Sequence, residues 1–347
     1  MTGPATATGP GPGRRRSAWG IGASLVLATL VACGGGDAPS GAAGGATGRA
    51  VVAAVRASAA ERAPWRCGPP PAGDPGPSTT VQIGAARWVR RGGQVRLERG
   101  HRRLGLIVDA RADLPALTAL ATALRAAEVD AIISLGGLAA TRAELVAAID
   151  VLAGPALLVV VPGDLEAVAD VRAVAVAVAD RGVVDGRTVR WLEVGDLGLA
   201  LLPGQPDAGR LAAGALGCGH EDADAAAVVA AWPEGQRLGA RVLASQRSPR
   251  GDLLDVGQGD PGLALAVAGL DLRLTVGTTD GGDEGELPRT GRVERGDRGH
   301  VALPPASDDA WRGPPPRPPA QALIVEVVDG GGLAWRVIGA GAGAGAE

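Results

Sequence analysis

Short apolar runs and amphipathic stretches alternate along the middle of the chain. Leu104 to Val108 (LGLIV), Ala131 to Leu135 (AIISL) and Ala156 to Val161 (ALLVVV) are continuous apolar runs of strand length. Between the first two, Leu114, Leu117, Leu120 and Leu124 recur at helical spacing, and Glu144 to Leu152 reads as a helix before the third run. Strands that are apolar at every position, separated by helices, predict parallel βαβ units with both faces covered. The rhythm changes after Gly182. Thr188 to Val194 and Leu197 to Leu202 flank Gly195-Asp196, a hairpin signal. A polar insertion from Gly204 to Asp224 precedes a predicted helix near Ala225 to Trp232. Two further buried strands, Arg241 to Ser245 and Leu272 to Val276, follow. Ala322 to Val328 and Leu333 to Ile338 predict a closing hairpin around Asp329-Gly330-Gly331-Gly332. Gly281 to Pro319, rich in Gly, Pro and charge, predicts a long mobile loop. The expected fold class is α/β: two βαβ-built sheets packed as a sandwich, with helices outside.

Composition narrows the picture. The 347 residues include no Phe or Tyr, no Lys or Asn, one Met and seven Trp. Those missing types share AT-rich codons, which points to a GC-rich coding sequence, so their absence says little about function. The core is left to Val, Leu and Ala. A net charge of −3 with Arg and acidic residues intermixed provides no basic stripe, which argues against nucleic-acid binding. The terminal Gly-Ala repeat mimics a dinucleotide-binding glycine pattern but has no helix after it, so residues 341–347 read as a frayed tail.

At the N-terminus, Arg14, Arg15 and Arg16 precede an apolar run from Ser17 to Ala32. That run is shorter than the ~18–20 residues that span a bilayer, so it reads as a signal peptide. Its end, Leu30-Val31-Ala32-Cys33, resembles the lipobox of bacterial lipoproteins. The resemblance implies cleavage after residue 32, a lipid on Cys33 and anchoring to a Gram-negative cell envelope. Glycines after Cys33, in place of a retaining aspartate, point to the outer membrane. Residues 33–79 form a Gly- and Pro-rich tether and residues 80–340 one domain. Cys67 and Cys218, the two remaining thiols in an oxidising compartment, form a candidate disulfide closing a loop of roughly 150 residues. No zinc-type cysteine–histidine spacing occurs.

The predicted strands end in an ordered series: Asp109-Ala110-Arg111, Gly136-Gly137, Gly163-Asp164-Leu165-Glu166, Ser245-Gln246 and Gly277-Thr278-Thr279-Asp280. Ligands of open α/β sheets bind beyond the carboxyl ends of strands. In order, spacing and strand context the series resembles the calcineurin-like metallophosphoesterase family, from Leu104 to about Asp280. LGLIVDARADLPALTAL follows that family's opening and VVVPGDLE its third motif. The implied fold is metallophosphoesterase-like, with Asp109, Gly137, Asp164, Gln246 and Asp280 clustered at one rim.

The departures are systematic. Arg111 stands where the family has His, and Gly137 replaces the aspartate that bridges two metals. Asp164 and Leu165 replace Asn and His, Gln246 replaces a histidine, and Thr278 with Asp280 replace the last two ligands. Only Asp109 is unchanged among the ligands. Two divalent ions ~3.5–4 Å apart repel by roughly 18 kcal/mol at an effective dielectric of 20, and Gly137 offers no side-chain ligand to offset that. Leu165 has no proton to give a leaving group. The expectation is therefore no cofactor and no catalytic residue, with the domain acting as a binding or scaffold module whose protein or small-molecule partner the sequence does not name. The alternative is a metal-dependent phosphoesterase holding one divalent cation on Asp109, Asp164 and Asp280. Arg111 opposes that site, because its guanidinium can pair with those carboxylates in place of a metal. The acidic run from His220 to Asp224 reads as a helix start, His101 and His300 as residues of Arg-rich loops, and Ser245 as a hydroxyl without an activating base.

Overall fold

A computed structural model of the chain describes residues 67, 77–205, 217–220, 224, 227–228, 239–247, 272–278, 291–295, 298–304, 319–328 and 332–339. Fifteen strands in this set form two sheets. The six-stranded sheet has the order β15-β14-β4-β5-β6-β7. Its members are β4 (Arg103–Ile107), β5 (Ala131–Leu135), β6 (Leu157–Val161), β7 (Val183–Asp185), β14 (Gln321–Val328) and β15 (Gly332–Gly339). Strands β4 to β7 are parallel, and the β14–β15 hairpin closes the β4 side antiparallel.

The continuous apolar runs follow from serving two cores at once. Side chains alternate across a strand. Leu104, Leu106, Ile133 and Val159 therefore face one cluster, shared with Leu192, Leu199, Val242 and Val276 of the other sheet. Ile107, Ile132, Leu158 and Val160 face a second cluster with Leu117, Leu120, Leu145, Ile149 and Val171 of the helices. Those helices are α1 (Leu114–Ala126), α2 (Arg142–Leu152) and α3 (Val168–Ala177). Asp113 caps α1 by accepting from the Ala116 amide at 3.1 Å. Thr141 and Glu144 cap α2 reciprocally. None of the described helices is long and apolar enough to cross a membrane.

The nine-stranded sheet, order β1-β2-β3-β8-β9-β10-β11-β13-β12, differs from the expectation of a second βαβ-built layer. It is mixed. It opens with an antiparallel meander, β1 (Thr79–Ile83), β2 (Ala86–Arg91) and β3 (Gln94–Arg99). It continues through the β8 (Trp191–Val194)–β9 (Leu197–Leu202) hairpin into parallel β10 (Ala240–Arg247) and β11 (Leu274–Thr278). It ends on a hairpin, β12 (Gly291–Arg295) and β13 (Arg298–Ala302), inside the stretch expected to be a loop. His300 thus lies on a strand rather than in a loop. That hairpin closes the sheet, with β12 at its edge. Ala227 and Val228 are helical, within the stretch from Ala225 to Trp232.

Candidate functional site

The strand ends do converge. Immediately after β4 the chain turns through three left-handed residues, Asp109 (φ 49°), Arg111 (φ 43°) and Ala112 (φ 54°). Non-glycine residues hold such angles only when surroundings over-determine them. Here the amides of Asp109, Arg111 and Ala112 donate to the carbonyls of Gly136, Gly137 and Leu138 at 3.0, 2.7 and 2.7 Å. These bonds extend the β4–β5 pairing beyond the strands and bring the loop that carries Asp109 against the one that carries Gly137.

Gly137 itself has φ 64°, and a Cβ built on it would stand 2.2 Å from Asp109 Oδ1. The missing side chain is thus a steric requirement as well as a lost ligand. Asp109 is buried, and the Arg111 Nε donates to its Oδ1 at 3.1 Å. Burial raises the Asp109 carboxyl to a pKa of about 6. The Arg111 cation opposes that rise, and the nearby Asp164 carboxylate adds to it.

From the other sheet, Gln246 at the end of β10 reaches over the same loops. Its Nε2 donates to Asp164 Oδ1 at 2.7 Å, and its Oε1 accepts from the Asp164 amide at 3.2 Å. A Cβ on Gly163 would lie 2.3 Å from Gln246 Oε1 and 2.6 Å from the Gly136 Cα. The loops after β5 and β6 therefore meet here through backbone, and the Gln246 side chain of the other sheet packs against both. Leu165 is half-buried, and Thr278 ends β11 in register with Arg247. Asp280 and Cys33 lie outside the described residues.

One central residue was not singled out from sequence. Glu166 is fully buried and accepts from the amides of Gly163 (2.8 Å), Gly137 (3.3 Å) and Ala139 (3.3 Å), and closely from that of Leu138. Its carboxylate ties the loop after β5 to the loop after β6. Burial raises it to a pKa of about 7, against the lowering effect of the amide donors. The signal was its place in VVVPGDLE, one residue beyond the two compared with ligands. At the rim the buried Arg247 was also missed, and its cation acts to lower the Asp109 carboxyl.

The structure joins Cys67 to Cys218 in a disulfide. Its surroundings connect it to the rim: the Cys218 amide donates to Gly163 O at 2.7 Å, and the Cys67 amide to Gly219 O at 2.9 Å. His220 is buried with Nδ1 3.1 Å from Pro203 O, and Asp224 is buried. His101 is exposed. The Ser245 hydroxyl donates to Arg247 O, so it is held by backbone and not by a base.

The donors do not fit a dinuclear metal centre. Asp109 is engaged by Arg111 and Asp164 by Gln246, and no imidazole is among the groups described at the rim. No cluster of three or more His, Cys, Asp or Glu with metal-holding geometry occurs among the described residues. What the arrangement does supply is a set of charge-assisted hydrogen bonds across four strand ends and both sheets.

No protein-family profile matches the sequence, and no curated protein is found to match it. Solved structures are similar to it in fold. One is TT1561 of Thermus thermophilus, at 13% identity and TM-score 0.45, covering 69% of this chain and 99% of that one. Another is a dimetal phosphatase from Danio rerio, at 11% identity and TM-score 0.46, covering 70% and 97%. A third is the purple acid phosphatase PPD1 of yellow lupin (Lupinus luteus), at 10% identity and TM-score 0.41, covering 74% and 57%.

Proposed function

We propose that the chain is an envelope lipoprotein whose metallophosphoesterase-like domain does not hydrolyse phosphoesters and serves as a binding or scaffold module. The observation that carries this reading is the occupied rim. Each described carboxylate there already has protein partners: Arg111 on Asp109, Gln246 on Asp164 and backbone amides on Glu166. A divalent cation would have to displace them. The anchoring half rests on Leu30-Val31-Ala32-Cys33, with the lipid on Cys33 and the outer membrane as address.

The deciding experiment is elemental analysis of the purified protein beside phosphomonoester and phosphodiester assays across added Mg, Ca, Mn, Fe and Zn. The expected result is no stoichiometric metal and no turnover above background. Metal-dependent turnover that vanishes in Asp109→Ala would overturn the reading in favour of a phosphoesterase with a single divalent cation. For the anchor, Cys33→Ser should abolish acylation and release the protein from the membrane fraction. An unchanged N-terminal mass and fractionation would refute it.

A further inference from the structure

A second concavity lies where the edges of the two sheets meet, and it has the opposite electrostatic character. Strands β1 to β3 form one wall, with β7 and α3 the other, enclosing about 640 Å³. That is the size of a small-molecule site. Its floor is apolar, with Ile83, Val95 and Leu157 buried along it. At its edge Val176 of α3 is 72% exposed and Val81 of β1 43% exposed, so the apolar surface continues out to solvent.

Polar groups around it are not matched as those at the rim are. Trp88 lines the floor at 1% exposure, and its indole N–H has no acceptor among the described residues. A buried donor of that kind is normally satisfied. Three arginines line the cavity and one carboxylate answers them. Arg187 holds Asp185 through a fork, with Nη2 to Oδ2 at 2.6 Å and Nε to Oδ1 at 3.2 Å. Among the described residues Arg90 donates to the carbonyls of Gly92 (3.3 Å) and Thr188 (3.5 Å) and makes no ion pair. Arg172 is exposed and makes no ion pair among the described residues. Among the described residues two positive charges are thus left without a carboxylate, beside an apolar floor that holds a donor without an acceptor.

We infer that this crevice binds an amphipathic anion, an aliphatic carboxylate whose chain lies on Ile83, Val95 and Leu157 and whose head group is held by Arg90 and Arg172. Guanidinium forks match carboxylate geometry, and an alkyl chain of moderate length suits a concavity this size. The site is separate from the strand-end rim and does not depend on whether that rim hydrolyses anything.

The test is calorimetric titration of the full chain with decanoate, against decanol and acetate as probes lacking the charge and the chain. Decanoate should bind, with decanol and acetate at least about tenfold weaker. Arg172→Glu should weaken decanoate by at least about tenfold while leaving the thermal midpoint unchanged, since this exposed side chain makes no ion pair. Trp88→Phe, which keeps the ring and removes the N–H, should weaken it less. Equal binding of decanol, indifference to Arg172→Glu, or no decanoate binding at millimolar concentration would each overturn the assignment.

Discussion

The rim at the strand ends and the crevice at the sheet edges both contain arginines, carboxylates and buried donors, yet they are finished differently. At the rim every described carboxylate is answered by a cation, an amide side chain or backbone N–H groups. At the crevice, among the described residues, two arginines make no ion pair and an indole N–H has no acceptor. A polar network that is complete within the protein holds structure together. One that is incomplete is where an outside partner gains most. Loss of a rim residue should therefore cost folding stability, and loss of a crevice arginine should cost binding alone.

The largest effect expected concerns the tie between rim and tether. Replacing Cys67 and Cys218 together with Ser removes a cross-link spanning 151 residues, and should lower unfolding free energy by about 4–5 kcal/mol in denaturant titrations. Next is Glu166→Ala, which leaves the amides of Gly137, Leu138, Ala139 and Gly163 without their acceptor. A loss of at least about 3 kcal/mol is expected. A loss near zero would show that the rim does not hold the loops, and would break the comparison.

The rim also sets a pH dependence with an unusual sign. Asp109 and Glu166 titrate at about 6 and about 7 when folded, above their ordinary values of 3.8 and 4.5. A carboxyl raised in this way holds its proton more tightly in the folded state, so folding takes up protons in that window. Its stabilisation is complete below the ordinary values and is lost as pH rises through about 6 and about 7. These two groups should therefore add stability as pH falls from about 8 to about 4.5. The increment should disappear in an Asp109→Asn, Glu166→Gln double variant followed by thermal unfolding.

Gly137→Asp should cost about 2 kcal/mol and bring neither bound metal nor phosphatase activity. Its Cβ would collide with Asp109, its φ is left-handed, and one new carboxylate leaves the rim without imidazoles. The smallest effect should be that of Arg172→Glu, within about 0.5 kcal/mol of the parent. A large loss there would show the crevice arginines to be structural.

Much of the six-stranded sheet was legible, because its strands are apolar at every position and its helices carry leucines at helical spacing. The meander of β1 to β3 was not. Arg87, Arg90, Arg91, Arg96 and Arg99 crowd these strands and mask the alternation that buries Ala86, Trp88, Val95 and Leu97. Strands β12 and β13 were hidden by the Gly, Pro and charge around them. At the rim, the convergence of Asp109, Gly137, Asp164 and Gln246 followed from their order at strand ends. Glu166 and Arg247 escaped because charged residues are expected at the surface, and only the packed loops show what surrounds them. The crevice was illegible because it is made by two sheet edges distant in sequence.

The alternation within β4 to β6 has a further consequence. A one-residue insertion inside β5 would exchange Ile132 and Ile133 between two cores at once, so the register of this sheet tolerates no slippage. The positions of the residues just beyond the strands are therefore dictated from below, by packing, whatever ligand they do or do not hold. The rim is in that sense a socket with fixed coordinates. Its contents can be rewritten side chain by side chain, wherever the new group clears its neighbours, while the scaffold beneath is left intact.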